Sequence, residues 1–121
     1  MKDPIYFKEK RKYPRVYMDL PVDYWVRYDP SAHGGIVIDA SETGFLIYSI
    51  EDIPVGTQLR IDVLFPREYE LTHFEVSAEI IRKRAEEKKE GGFRYGIKFV
   101  QILQEDYRKL RELFIVKLLS G

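Results

Sequence analysis

The feature that most constrains this chain is an alternation of apolar and polar residues at period two, repeated in short segments. This period is typical of β-strands with one face buried. Proline, glycine and other turn-forming residues separate the segments at short intervals. The alternation predicts strands over residues 22–28, 59–65, 74–80 and 93–99, and two short apolar runs predict strands over 36–38 and 45–48. Between these strands we expect a polar turn over 39–44 and a charged loop over 82–92. In the first strand we expect Tyr28 on the apolar face, whereas Trp25 is out of phase with that face and is expected to pack under the helix or the N-terminal arm.

The period lengthens after residue 99, where apolar residues follow helical spacing. Glu105 and Asp106 favour a helix start there, because acidic side chains in a first turn complement the helix dipole. The predicted apolar face consists of Leu103, Tyr107, Leu110, Phe114 and Leu118. Six strands and one helix predict an all-β fold with a C-terminal helix, in which the sheet forms a six-stranded antiparallel β-barrel that the helix covers in part.

The chain has 121 residues, which corresponds to one domain. Residues 1–15 lack periodicity and are rich in lysine, arginine and proline, so we expect a flexible basic N-terminal arm followed by the barrel and helix over 16–121. No segment approaches the ~18 consecutive apolar residues of a membrane span, and the N-terminus does not resemble a signal peptide. These observations predict a cytoplasmic protein without direct membrane insertion.

Catalysis and metal chemistry have little support in the sequence. The chain contains no cysteine, which excludes a disulfide scaffold, a thiolate zinc site and a cysteine nucleophile. His33 and His73 are the two histidines, and neither lies in a recognisable nucleophile motif. No carboxylate cluster has the spacing of metal ligands. We therefore predict a protein that is not an enzyme and that has neither a metal nor a cofactor.

The formal net charge is zero, but the charge is distributed unevenly. Residues 1–18 carry 6 − 2 = +4, residues 19–81 carry 3 − 12 = −9, residues 82–98 carry 7 − 3 = +4 and residues 99–121 carry 4 − 3 = +1. If the fold brings the two basic segments together, they form a local anion site on a neutral protein. The alternative is that both basic segments are solvated.

Two short motifs carry groups suited to an anionic ligand that contains bases. Arg11 and Arg15 can supply bidentate hydrogen bonds to phosphate or to guanine, and their flat faces can stack on a ring. Asp39 can accept hydrogen bonds from the N1 and N2 donors of guanine. The Ser41 hydroxyl lies on the same side if the backbone is extended there, and Gly44 permits a positive φ or the close approach of a ligand or another strand. Taken singly, the motifs also fit a solvated arm and a polar turn.

Together the two motifs resemble the PilZ domain, a bacterial receptor module for cyclic di-GMP. That family carries Arg-x-x-x-Arg near its start and Asp/Asn-x-Ser-x-x-Gly some tens of residues later. Here the corresponding segments are 11–15 (Arg-Lys-Tyr-Pro-Arg) and 39–44 (Asp-Ala-Ser-Glu-Thr-Gly), so every signature position is filled. The resemblance extends from about residue 10 to the C-terminal helix, with 55–59 similar to the family's turn into its middle strand and 94–99 similar to its last long strand.

The resemblance implies that cyclic di-GMP is the ligand and that these residues bind it. Arg11 and Arg15 would hold the phosphates and stack on or hydrogen-bond to guanine. Asp39 and Ser41 would read a guanine edge, and Gly44 would keep the turn tight.

Lys10 occupies a position that the family associates with the choice between one bound ligand and a stacked pair, so a basic residue there makes a pair plausible. The function implied is a receptor that orders its arm on ligand binding and signals to a protein partner or fused domain, in motility or exopolysaccharide regulation. Two alternatives stay open: a small barrel that binds single-stranded nucleic acid, against which the acidic middle segment argues, and a PilZ-like protein-interaction module without ligand.

Overall fold

The computed structural model describes residues 4–6 and 14–120, which form seven β-strands and one α-helix. The elements are β1 (Pro4–Tyr6), β2 (Val16–Val26), β3 (His33–Ser41), β4 (Gly44–Ser49), β5 (Gln58–Arg67), β6 (Glu70–Ala85), β7 (Phe93–Leu103) and α1 (Gln104–Ser120). All the pairings between these strands are antiparallel.

Six of the strands close into a ring. Their order is β7-β4-β3-β2-β5-β6, and β6 pairs back onto β7. The short β1 uses the same edge of β7 as β4 does, because β4 pairs with residues 93–98 and β1 with residues 101–103. The predicted six-stranded antiparallel barrel with a C-terminal helix is therefore confirmed, and β1 is an addition to it.

The interior of the ring is filled by the apolar face of each strand. In β2, for example, alternate residues from Val16 to Tyr24 are buried. The helix adds Leu110, Leu113 and Phe114 to this core. The predicted apolar face of the helix was wrong at both ends, since Leu103 belongs to β7 and Leu118 is about half exposed.

Strand β2 differs from the prediction at both ends. It begins at Val16 rather than at Val22, and Asp19 and Pro21 concealed the earlier part. Asp19 has a positive φ of 52° at a bulge against β3, and pairing with β5 begins only at Val22, one residue after the proline. Tyr28 does not share the apolar face: it follows the strand with a φ of 71° and is 90% exposed.

Three further segments are strand where the sequence suggested loop, turn or arm. Residues 82–85, predicted as a charged loop, continue β6. Residues 39–41, predicted as a turn, end β3, so that only Glu42 and Thr43 form the turn before β4. Residues 4–6, predicted as irregular arm, form β1, whereas Lys10 and Arg11 lie outside the described residues.

Tyr95 forms hydrogen bonds that connect the loop before β5 to the barrel. Its buried hydroxyl donates to the Glu51 carbonyl and accepts from the Ile53 backbone N–H at 2.8 Å. Burial raises the pKa of this hydroxyl above its ordinary value.

We expect Tyr95→Phe to lower the free energy of unfolding by about 1–3 kcal/mol, because it leaves the buried Ile53 N–H without its acceptor. Urea denaturation measures this, and a change below about 0.5 kcal/mol would contradict the prediction.

Candidate ligand-binding site

The outer face of the ring carries a row of directly opposed residues across four strands. Asp39 of β3 faces Leu46 of β4, Leu46 faces Gly96 of β7, and Gly96 faces Arg82 of β6. A bulge in β3 between Val37 and Asp39 sets this arrangement. The row therefore brings together residues that are far apart in the chain.

A groove of about 670 Å³ lies over this row. Its volume is within the range of about 300–1,000 Å³ that small-molecule sites occupy. The groove contains five cationic side chains and one carboxylate, and its lining consists of Arg15, Asp39, Leu46, Arg82, Lys83, Arg84, Arg94 and Gly96. The cations come from the two basic segments of the sequence, so for these residues the fold does bring the two segments together.

Arg15 and Asp39, one residue from each predicted motif, are in contact. The Arg15 Nε donates to Asp39 Oδ1 at 2.5 Å, and both side chains are partly exposed. An exposed ion pair of this kind contributes only about 0.2–1 kcal/mol, so a ligand can rearrange it at small cost. A carboxylate has about four acceptor positions, which leaves Asp39 able to accept further hydrogen bonds beside Arg15.

Arg84 and Arg94 face each other directly across β6 and β7. Like charges in this position are destabilising by themselves. Glu86 offsets part of the repulsion, because its Oε1 lies 2.7 Å from the Arg94 Nε. Arg82 adds a third guanidinium to the same groove. This end of the site is therefore built to attract an anion.

Sequence reasoning missed Arg82 and Arg84 as site residues and left open whether the basic segment that contains Arg94 is solvated. The signal that could have found them was the +4 charge of residues 82–98. The Arg82 side chain reaches the groove because Gly96 opposite has no side chain. A Cβ at Gly96 would lie 2.8 Å from the Arg82 Nε and 3.1 Å from one Nη.

The other residues of the second motif shape the β3–β4 hairpin. Ser41 is buried, and its hydroxyl accepts from the Thr43 backbone N–H at 3.2 Å. Because Ala40 between them is a core residue of an extended strand, Asp39 and Ser41 lie on the same side of the backbone, but of the two only Asp39 lines the groove. Gly44 has no positive φ; a Cβ there would lie 2.3 Å from the Ile97 carbonyl oxygen, so the close approach of β7 requires glycine.

Trp25 lies elsewhere on the outer surface. The Arg60 guanidinium stacks on its ring at 4.4 Å, at a second cleft of about 660 Å³. Among the described residues, none that lines this cleft belongs to the helix or to the N-terminal arm. The expected packing under the helix is therefore not observed, and packing under the part of the arm outside the described residues stays a prediction.

Over residues 4–6 and 14–120, no cluster of three or more metal-ligating side chains occurs. In the same ranges, no helix combines the length and apolar character needed to cross a bilayer.

The structure is thus a small closed β-barrel whose outer face carries a compact cationic groove with one carboxylate. The comparisons with known proteins identify the family. The PilZ domain family model matches residues 9–115, and the chain therefore belongs to the PilZ domain family. The predicted family membership is confirmed. No curated protein sequence matches the chain significantly.

Two solved structures share the fold at low sequence identity. The inhibitor of motility MotI/DgrA of Bacillus subtilis is 19% identical with a TM-score of 0.76, over 94% of this chain and 53% of that one. The PilZ domain of YcgR from Escherichia coli, solved with c-di-GMP, is 17% identical with a TM-score of 0.66, over 93% and 94% of the two chains. The chain thus spans about half the length of the B. subtilis protein.

Proposed function

We propose that this protein is a noncatalytic receptor for cyclic di-GMP, which binds in the groove between Arg15 and Arg94. The observation that carries the proposal is the meeting of Arg15 and Asp39 beside three further arginines. A cyclic dinucleotide of two guanosines combines two phosphates with two guanine edges, and the groove offers complementary groups for both.

The phosphates are matched by the arginines. Guanidinium groups form bidentate, charge-assisted hydrogen bonds to phosphate, which are about twice as strong as neutral ones. A phosphate among Arg82, Arg84 and Arg94 also relieves the repulsion between like charges across β6 and β7. Ligand binding is therefore expected to raise the melting temperature as well as to release heat.

Guanine specificity is assigned to Asp39. Its carboxylate accepts hydrogen bonds, and among the common bases only guanine presents adjacent N1–H and N2–H donors on one edge. Arg11 and Ser41 complete the proposed site, and Gly44 supports it by holding the hairpin against β7. A basic Lys10 favours a bound pair of ligands over a single molecule.

The proposed output is a change in the N-terminal arm that a protein partner or a fused domain reads. Relatives of this fold support such a role, since the B. subtilis neighbour is described as an inhibitor of motility. Single-stranded nucleic acid is a weaker candidate. The groove's cations cluster at one place, whereas a strand-tracking surface needs extended positive charge.

Isothermal titration calorimetry tests the proposed function. We expect saturable binding of cyclic di-GMP, with no comparable heat from cyclic di-AMP, which lacks the guanine donors. The titration also gives the number of ligands per chain. Absence of heat and of any thermal shift at tens of micromolar cyclic di-GMP would overturn the proposal, and binding to oligonucleotides with a steep salt dependence would favour the nucleic-acid alternative.

A methyl group at Gly96 is expected to weaken cyclic di-GMP binding without unfolding the protein. The new Cβ meets the end of the flexible Arg82 side chain, so that the guanidinium moves and the backbone does not. We expect Gly96→Ala to lower affinity about 10-fold, which corresponds to one charge-assisted hydrogen bond. Calorimetry and thermal melting measure both effects; unchanged affinity, or a fall in stability above about 2 kcal/mol, would contradict the prediction.

A further inference from the structure

Tyr17 is a large aromatic side chain left in solvent beside the proposed site. It lies on the outer face of β2 and is 67% exposed, while its neighbours Val16 and Met18 are buried in the core. Core packing therefore does not account for an aromatic residue at this position. Arg15 lies two residues earlier along the chain.

The strand pairing places Tyr17 directly opposite Asp39. Opposed residues in an antiparallel pair have Cβ atoms about 4.5–5.5 Å apart and share one face of the sheet. Leu46 is the opposed residue on the other side of Asp39. The Asp39 carboxylate is thus flanked by Tyr17 on β2 and by the groove on β4, with Arg15 in contact with it.

A base held by its edge at Asp39 still needs a partner for its faces. Hydrogen bonds to a carboxylate fix the plane of a purine but leave its flat faces in water. With the Cβ atoms of Tyr17 and Asp39 about 5 Å apart, the phenol ring is long enough to cover such a face. Stacking of a base on an aromatic side chain contributes about 1–3 kcal/mol.

We propose that Tyr17 stacks on the guanine that Asp39 holds, and that it is a residue of the ligand site outside both sequence motifs. This inference rests on the proposed function. Because stacking needs the ring and not the hydroxyl, phenylalanine preserves it. Leucine retains apolar bulk but lacks the flat π face.

The test is a calorimetric titration of cyclic di-GMP into the wild type and into Tyr17→Phe, Tyr17→Leu and Tyr17→Ala. We expect Tyr17→Phe to bind within about threefold of the wild type and Tyr17→Ala to bind about 5- to 150-fold more weakly, the range that the stacking energy implies. Tyr17→Leu should lie between them. Melting temperatures without ligand should agree among the four proteins, because the side chain is exposed.

A second readout separates stacking from a general disturbance of the site. In NMR spectra of the complex we expect contacts between the Tyr17 ring protons and guanine H8, absent in Tyr17→Leu. If the wild type binds cyclic di-GMP and Tyr17→Ala binds it with the same affinity, the inference is overturned and the proposed function stays intact. Loss of affinity in Tyr17→Phe equal to that in Tyr17→Ala would also overturn it, by assigning the effect to the hydroxyl. A wild type that fails to bind refutes the proposed function itself.

Discussion

Replacing Arg15 by alanine is expected to reduce cyclic di-GMP affinity by about 10- to 150-fold. Hydrogen bonds to charged groups contribute about 1.5–3 kcal/mol each, and every 1.4 kcal/mol corresponds to a factor of ten. Arg15 can exert this effect because its guanidinium is already positioned at the groove by Asp39. Isothermal titration of both proteins at one ionic strength measures the ratio of the dissociation constants.

Two further variants show what Arg15 contributes. Arg15→Lys keeps the charge but loses the planar fork, so its affinity should lie between those of the wild type and Arg15→Ala. Arg27→Ala removes an equal charge at the other cleft, where Arg27 lies over the Tyr28 ring at 4.9 Å, and should bind as the wild type does. Equal loss in Arg27→Ala and Arg15→Ala would contradict a local site and indicate a net-charge effect.

Arg15→Ala is expected to leave the fold intact. The ion pair between Arg15 and Asp39 is exposed and contributes about 0.2–1 kcal/mol. A melting curve without ligand should therefore shift only slightly. A large fall in stability for Arg15→Ala would mean that the pair has a structural role which the exposure of both side chains does not suggest.

The sequence predicted those strands whose outer face is polar and whose pairing is regular. Residues 59–63 alternate without interruption and pair in register with β6, so the period was visible. Closure of the ring also followed from strand number and spacing. In contrast, β2 carries Asp19 at a bulge and Pro21 outside the β5 pairing, and because aspartate and proline are disfavoured within strands, the predicted strand began only at Val22.

The far end of β6 shows why part of the site could not be predicted. A bulge between Ile80 and Arg82 shifts the phase of the alternation, and the residues beyond it are charged because they face solvent. Such a segment is indistinguishable from a charged loop until its partner strand is known. The charge sums indicated that this segment and the N-terminal one would form an anion site if the fold joined them, but only the register places Arg82 opposite Gly96.

β1 depends even more on its tertiary partner. A strand of three residues has no period to detect, and Pro4–Tyr6 becomes a strand only because the edge of β7 beyond β4 is available to it. Ile5 packs partly against the core at this point. The two motifs could be located from sequence because they are defined by residue type, whereas the packing reason for Gly44 required the distance to the opposite strand.

Gly44→Ala is expected to destabilise the fold more than any other substitution discussed. Gly44 begins β4 opposite Lys98, and a Cβ there would lie 2.3 Å from the Ile97 carbonyl oxygen and 3.4 Å from its carbonyl carbon. Both atoms are backbone, so relief of the clash requires β4 and β7 to separate where they close the ring. Overpacking against side chains costs about 1–3 kcal/mol, and a clash with backbone should reach or exceed the upper value.

Gly34→Ala is the matched control, because it makes the same chemical change in the neighbouring strand β3 where a Cβ meets nothing within 4 Å. There the methyl group only restricts the unfolded chain. This raises the free energy of unfolding by about 0.4–1 kcal/mol where the native backbone conformation is compatible with alanine. The melting temperature should therefore fall by about 12 °C for Gly44→Ala, at roughly 4 °C per kcal/mol, and should not fall for Gly34→Ala. Equal melting temperatures for the two variants would show that the β4–β7 junction yields to a methyl group, and the packing role assigned to Gly44 would then be wrong.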